Sequence, residues 1–596
     1  MRLDPALCAR PAALSVTRSF SGRKWIIRET DQDEARDLAL SADISPTLAQ
    51  LLLTRGVTAE GVADYLKPTL KRLLPEPMTL KDMDKAVARA ELAVSRGETI
   101  AIFGDYDVDG SCSAALLYEF LTALGLTPRL YVPDRLREGY GPNAPALLRL
   151  KESGASLVIT VDCGAAAYAP LEVARDAQLD VIVLDHHAVE KAVHACAHVN
   201  PNQPGDQSGL GHLCAAAVTF LFAVALNRRL RELGRYTQTG TVEPDLFASL
   251  DLVGLATVCD VVPLVGVNRA FVRAAELRLS KLERCGIRAL AAVARAEPPF
   301  SLYHCGFVFG PRINAGGRVG RASLGAELLT ARSDGEAAPL AELLDRHNRE
   351  RQTIESLIIE EAIGLAAMQD NSPFILVAGE GWHPGVVGIV AGRLKERFLK
   401  PAFVVGFSDG RGRASARSIM GIDIGAIVRA ARDDGLLDDG GGHAMAAGFS
   451  IGEDRLDAFR EYLGTALASS VGSFGGVSDL WLDALVSPGG ATPELATEIG
   501  RAGPFGAANA EPVLAACDVR LAFADVVGKG HLRLRLQGGD GSRLSAIAFR
   551  AAGTPLGENL LRARGERIHV AGFLRENRWN GRTEAQLQLE DAAAAA

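Results

Sequence analysis

The sequence predicts an α/β protein: a parallel-sheet lobe and a smaller αβ lobe joined by a long helix, with a small β-barrel at the C-terminal end. Three observations predict it. From about Thr99 the chain repeats a short apolar β-branched run, a loop and a helix-like stretch, as strands buried on both faces of an open sheet do. Residues 335–368 keep one helical periodicity and are rich in charge. Beyond about residue 470, short strand-like runs with Gly-rich turns take over.

Taken in order, residues 24–95 open with a candidate strand, Lys24–Arg28, and continue mostly helical. Thr99–Phe103, Leu157–Val161 and Val181–Leu184 read as strands of the first lobe, with helices Ser113–Leu124 and Ala169–Ala177 between them. The mostly helical stretch Pro244–Leu282 closes that lobe. Gly335–Met368 is the connector, with Leu340, Leu344, Ile354, Leu357, Ile358 and Leu365 at three-to-four spacing. Phe374–Val377 and Ala402–Val405 are strands of the second lobe. His531–Leu536, Ile568–Phe573 and Ala585–Leu589 belong to the barrel. The expected division is 1–75, an N-terminal segment; 76–300, the catalytic lobe; 301–368, the connector; 369–469, the second lobe; and 470–596, the barrel.

Composition narrows the function. Apolar residues are 48% and charged residues 23%, which is ordinary for a globular chain. A formal net charge of -8 excludes a uniformly basic coat but not a local basic groove. The 9 Cys contain no Cys-x-x-Cys pair, which argues against a disulfide framework and a zinc ribbon. The most apolar run, Ala215–Leu226, is too short to span a bilayer, and the first 23 residues lack a signal-type apolar core. A soluble cytoplasmic protein, not a membrane one, is the expectation.

Carboxylates and His cluster at strand ends. Gly104-Asp105-Tyr106-Asp107-Val108-Asp109-Gly110 follows the first strand. Three acids at alternate positions are costly without cations. An EF-hand begins alike but needs Glu at its twelfth position, where this chain has Leu116. Asp162 follows the second strand, Asp185-His186-His187 the third, and Asp260 a further apolar stretch. Ligands of open α/β sheets bind at the carboxyl ends of strands, so these residues predict one shared site. Carboxylates with an imidazole suit two divalent ions, with a preference shifted toward Mn²⁺; Mg²⁺ is also compatible. Two such ions, about 3.5–4 Å apart, can clamp both oxygens of a phosphoryl transfer.

The ordered set Asp-Tyr-Asp-Val-Asp-Gly, Val-Asp-Cys-Gly, Asp-His-His and Cys-Asp-Val-Val-Pro-Leu resembles the motifs of the DHH phosphoesterase superfamily. The resemblance implies that Asp105, Asp107, Asp109, Asp162, His186 and Asp260 hold the metals. By it, Asp162 bridges them, His187 contacts the scissile phosphate, and Asp162, Asp185 and His187 are catalytic. Small DHH phosphodiesterases begin this site with a His where this chain has Phe103; the acidic form is similar to the RecJ-type single-strand-specific DNA exonucleases.

Later motifs extend that likeness. Gly310-Pro311-Arg312-Ile313-Asn314-Ala315-Gly316-Gly317-Arg318 reads as a Gly-rich loop whose Arg312, Asn314 and Arg318 suit phosphate oxygens. His347-Asn348-Arg349 on the connector also matches the family pattern. Trp382-His383-Pro384-Gly385 resembles the start of a DHHA1 domain, with Pro384 in the first turn of a helix. Ser415, Arg417 and the triglycine run Gly440-Gly441-Gly442 with His443 read as substrate contacts, the glycines letting backbone amides approach a phosphate closely. Arg135 and Tyr140 resemble a terminal-phosphate Arg and a wedge Tyr.

Between Arg393 and Arg417 seven basic residues face two acids, and the barrel offers Lys529, Arg533, Arg535, Arg543, Arg575 and Arg578 with Trp579. Such strands suit a single strand that tracks a groove and stacks its bases; the resemblance makes this barrel an OB-fold. The implied activity is 5′-to-3′ hydrolysis of single-stranded DNA to 5′-mononucleotides in repair and recombination. The implied cofactor is two Mn²⁺ ions, and the implied partners are single-stranded DNA, a single-strand-binding protein and a helicase, around a monomeric enzyme. The alternatives are a phosphodiesterase for short oligonucleotides or cyclic dinucleotides, and a non-catalytic scaffold that would have lost its metal ligands.

Overall fold

A computed structural model describes residues 11–134, 138–369, 372–468, 479–579 and 582–595; nothing is said of the side chains of 578, 579 and 582. The chain divides into two compact units, residues 1–68 with 474–596, and residues 69–473. Strand β1 (Trp25–Ile27) belongs to the first unit.

The second unit holds the catalytic sheet, β2 (Ile100–Gly104), β3 (Arg129–Tyr131), β4 (Leu157–Val161), β5 (Asp180–Leu184) and β6 (Ala197–Val199). Its order is β3-β2-β4-β5-β6 and every pairing is parallel. β2 and β4 are buried at all positions, which is why they read as unbroken apolar runs. The helices Val108–Ala123 and Ala215–Glu232 pack on one face. Ala144–Glu152 and Tyr168–Asp176 cover the other. The short strands β3 and β6 carried no apolar run long enough to be read from sequence.

The helix Asp334–Ala367 leads to a mixed sheet of β7 (Ile375–Glu380), β8 (Ala402–Ser408), β9 (Arg411–Arg417), β10 (Asp439–His443) and β11 (Ala446–Gly452), in the order β10-β11-β9-β8-β7.

The remaining strands are β12 (Leu480–Leu482), β13 (Ala484–Leu485), β14 (Leu514–Val527), β15 (His531–Gln537), β16 (Arg543–Ala548), β17 (Arg567–Trp579) and β18 (Arg582–Ala594). β14, β15, β16, β18 and β17 pair in that order, and β17 pairs back onto β14, closing a five-stranded barrel. Alternate residues of β15, Leu532, Leu534 and Leu536, fill its core, while Arg533 and Arg535 face outward.

The N-terminal residues are built into this barrel unit. β1 pairs in parallel with β12, and the fully buried Trp25 donates its Nε1–H to Asp591 Oδ2 at 2.9 Å. Arg55 donates to Asn509 Oδ1 and to the Ala510 carbonyl. Nothing in the sequence signals a partner more than four hundred residues away.

One expectation is corrected here. Gly310–Val319 is a helix, not a loop. Its glycines permit close packing: a methyl on Gly317 would lie 1.9 Å from the Tyr106 ring, and one on Gly316 3.1 Å from Leu344. Gly440–Gly442 is part of edge strand β10, paired antiparallel with β11. A methyl on Gly440 would press on Val428 at 2.8 Å, and one on Gly442 on the Ala446 carbonyl at 2.3 Å.

Candidate metal centre

The site forms where β2, β4 and β5 end. Asp105, Asp162 and Asp185 are the residues that follow these strands, and all three are buried. The backbone turns sharply after β2, and Gly110 passes so close to Asp105 that an added methyl would sit 2.5 Å from its carbonyl oxygen. Asp107 caps the helix that follows, accepting from the Gly110 N–H at 3.0 Å. Asp109, in the first turn of that helix, accepts from Ala215 N at 2.7 Å and Ala216 N at 2.8 Å, the first amides of Ala215–Glu232. Asp162 holds a left-handed backbone, φ 58°. Asp260 lies at the C-terminus of the helix Leu250–Cys259, so it reaches the site from a helix rather than a strand.

His186 is the hub. Its Nε2 lies 3.4 Å from Asp162 Oδ1, 3.6 Å from Asp260 Oδ2 and 3.7 Å from Asp109 Oδ2. Three donor sets converge closely enough to hold a cation: Asp105 with Asp107 and Asp162; Asp109 with His186 and Asp260; and Asp162 with His186 and His187. Asp162 belongs to two of them, as does His186.

The electrostatics fit cations. Burial, then the charges of Asp109, Asp107 and Asp105, pushes the Asp162 carboxyl well above the usual range. Burial, then the charges of Asp109 and Asp107, raises Asp260 to about 8. Burial also raises Asp109, against the pull of His186. Asp162 Oδ1 and His186 Nε2 are buried without a hydrogen-bond partner, an arrangement that costs about 1–3 kcal/mol for each atom unless a ligand satisfies it. Hard oxygens and one imidazole nitrogen, with no thiolate, suit Mn²⁺ or Mg²⁺.

Asp185 has a different environment. Burial would raise its pKa, but the hydrogen bond and charge of His187, then the charge of His186 and the Ala165 amide, bring it to about 2. It accepts from His187 Nδ1 at 2.7 Å and from the amides of Ala165, His186 and His187. Burial would lower His187, yet Asp185 raises it to about 9. Because Asp185 occupies Nδ1, the nitrogen nearer Asp162, His187 is suited to a phosphate oxygen through Nε2 rather than to an ion.

Tyr140 stands beside His187, ring centroids 6.1 Å apart, and its hydroxyl donates to the Asp162 carbonyl at 3.1 Å. Half of its surface is exposed. Arg135 lies outside the described residues.

The second lobe adds cations. Arg417 Nη1 donates to Ser415 Oγ at 3.1 Å on β9. The first turns of the helix Pro384–Phe398 lie against both, since a methyl on Gly388 would stand 3.1 Å from Ser415 Oγ and 3.3 Å from Arg417 Nη2. Arg318 donates to the Gly385 carbonyl at 3.1 Å. Arg312 is already engaged, by Asp345 Oδ1 at 2.9 Å and the Val308 carbonyl at 2.8 Å. The Asn314 Oδ1 is buried with no partner. Burial lowers the pKa of His443, and His187, Arg429 and His186 lower it further, so this end of β10 lies within electrostatic reach of the carboxylate site; Gly441 and Gly442 precede it on the same strand.

Sequence reading missed Asn200 and Asn202. Asn200 Nδ2 donates to the His187 carbonyl at 2.8 Å, and Asn202 Nδ2 to the His186 carbonyl at 2.6 Å. Asn202 N also donates to Asn200 Oδ1 at 2.7 Å, tying the two together. The available signal was the Asn-Pro-Asn run at residues 200–202. Asp345, which holds Arg312, was missed as well.

Residues 99–249 match the DHH family N-terminal domain, 371–469 the DHHA1 domain and 482–591 the RecJ OB domain. The single-stranded-DNA-specific exonuclease RecJ of Escherichia coli is 34% identical over 583 residues, 95% of this chain and 98% of that protein. The chain belongs to the RecJ family. The Bacillus subtilis RecJ is 34% identical over 96% of this chain and 71% of its own length. Thermus thermophilus RecJ solved with Mn²⁺ superposes with a TM-score of 0.78 at 30% identity, covering 95% of this chain and 79% of that one. The same protein was also solved with Mg²⁺. The DHH, DHHA1 and OB domains expected of a RecJ-family hydrolase are thus all present. Among the described residues no helix is long and apolar enough to cross a membrane.

Proposed function

We propose that this RecJ-family protein is a single-strand-specific DNA exonuclease that works from the 5′ end and releases 5′-mononucleotides, in DNA repair and recombination. The observation that carries the reading is the convergence of Asp105, Asp107, Asp109, Asp162, His186 and Asp260, two of them with orphaned buried donor atoms, in a chain alike in full length to named exonucleases. Asp162, common to two donor sets, would be the ligand shared by two Mn²⁺ ions, with Mg²⁺ as the substitute. Bound there, the ions would supply an activated water and neutralise the leaving oxygen. Asp185 fixes His187 so that its Nε2–H donates to the scissile phosphate. Arg135, Ser415 and Arg417 bind the 5′-terminal phosphate, and Tyr140 blocks a duplex from following. Arg312, Asn314, Arg318, Gly441, Gly442 and His443 line the substrate side.

The partners proposed are single-stranded DNA, a single-strand-binding protein and a helicase, with a monomer acting in the cytoplasm. The limits 1–75, 76–300, 301–368, 369–469 and 470–596 remain the proposed domains. Likeness that includes the barrel favours a long strand over the short-substrate alternative. Mn²⁺-dependent digestion of single strands labelled at either end tests the reading. Mononucleotides should come first from the 5′ label, and release first from the 3′ end would overturn the polarity.

A further inference from the structure

Two aromatic rings stand in solvent on a helical run that packs against the helix leading to Asp260, and the reaction does not use them. Tyr303 is 63% and Phe307 72% exposed, although Phe300 and Phe309 of the same stretch are buried. The exposed pair stack on each other, centroids 5.4 Å apart and planes 24° from parallel. They begin a continuous helical run that includes a π-helical turn at His304–Phe309 and then Gly310–Val319. Such π turns occur often at functional sites.

This run is seated on chain neighbours of the metal-site residues. A methyl on Gly306 would meet Val258 at 3.8 Å, and one on Gly310 would meet Cys259 Sγ at 2.7 Å, immediately before Asp260. Further along, Gly317 abuts the ring of Tyr106, between Asp105 and Asp107. The same run carries the unpartnered Asn314 Oδ1 and Arg318. In a chain of net charge -8, no Asp or Glu occurs between Glu297 and Glu327; Arg312 and Arg321 are paired with Asp345 and Glu327, while Arg318 donates to the neutral Gly385 carbonyl. An exposed, stacked aromatic pair on a run that also carries the Arg318 guanidinium and the unpartnered Asn314 amide oxygen matches a polyanion with flat apolar bases better than it matches an ordinary protein surface.

We infer that Tyr303 and Phe307 form a base-stacking platform for the single strand, away from the scissile linkage and on the helix that carries Asn314 and Arg318. The inference rests on the proposed nuclease function and adds a substrate subsite to it. Every base has a π face, so the platform binds without regard to sequence.

Because both rings are exposed, the double variant Tyr303→Ala/Phe307→Ala keeps the fold. Binding is measured in EDTA, where no cleavage occurs, with a strand of about ten nucleotides carrying 2-aminopurine. The double variant should bind at least about tenfold more weakly and lose the quenching that the wild type shows, whereas Tyr303→Phe should keep both. The ratio of kcat/KM for the long strand to that for a dinucleotide should fall by a similar factor. Unchanged affinity and quenching in the double variant would overturn the inference and assign the rings to a protein contact. A wild-type protein that neither binds nor cuts single strands would overturn the nuclease reading as well, and the two failures are told apart by the wild-type control.

Discussion

Asp109→Asn and Asp162→Asn should shift the stability of the metal-free protein in opposite directions, although either change should abolish hydrolysis. Asp109 accepts two short hydrogen bonds from the first amides of the helix Ala215–Glu232. An amide in its place leaves one buried N–H without an acceptor, which costs about 1–3 kcal/mol. It also removes a negative charge from a helix N-terminus, about 0.3–2 kcal/mol. Relief of repulsion from Asp107 offsets part of this. The net loss, about 2 kcal/mol, corresponds to roughly 4–8 °C in Tm for a lobe of about 200 residues. Asp162 is the reverse case: its Oδ1 has no hydrogen bond and its carboxylate is crowded by Asp109, Asp107 and Asp105. Asn tolerates the left-handed backbone at this position, so Asp162→Asn removes the repulsion without adding strain. Calorimetry in EDTA should show the first variant melting below wild type and the second at or above it. Added Mn²⁺ should raise the wild-type Tm and leave Asp162→Asn nearly unmoved. If Asp109→Asn melted with the wild type, the carboxylate would not be anchoring that helix; if Asp162→Asn fell as far as Asp109→Asn, the claim of an orphaned bridging ligand would fail.

Asn202→Ala, which releases the His186 backbone, should weaken Mn²⁺ binding by about 10–100-fold in calorimetric titration; unchanged affinity would remove Asn202 from the positioning of His186. Arg417→Ala should largely erase the rate advantage of 5′-phosphorylated over 5′-hydroxyl DNA, and an unaltered ratio of initial rates would show that this guanidinium does not read the strand end. Trp25→Ala should cost the barrel unit about 3–5 kcal/mol in denaturant unfolding, since it empties a fully buried site and leaves Asp591 without its donor; a barrel of undiminished stability would refute the idea that the N-terminal strand is structural.

The parallel sheet and its carboxylates were legible because burial on both faces leaves a mark in local composition: Leu157–Val161 matches β4 residue for residue. Asp105, Asp162 and Asp185 followed from strand ends alone. The Gly-rich segment Gly310–Arg318 was misread as a loop because glycine serves two opposite ends. At Gly317 and Gly440 the missing Cβ allows tight packing, whereas a loop uses it for freedom, and the residue type is the same. The Asn200 and Asn202 bonds escaped because they are made to main-chain carbonyls, which carry no sequence signature. The Arg312–Asp345 pair escaped because its partners lie on different elements, 33 residues apart.

The joining of residues 1–68 to residues from 474 onward has a consequence for biosynthesis. The first segment leaves the ribosome well before the strands it pairs with exist. At about 5–20 residues per second, the intervening four hundred residues take roughly 20–80 seconds to be made. Throughout that interval β1 has no β12 and the Trp25 indole has no Asp591, while the catalytic unit can already close on itself. Maturation of the barrel is therefore the last event in the life of the nascent chain. A ribosome that stalls late should yield a folded metal centre attached to an unfinished DNA grip.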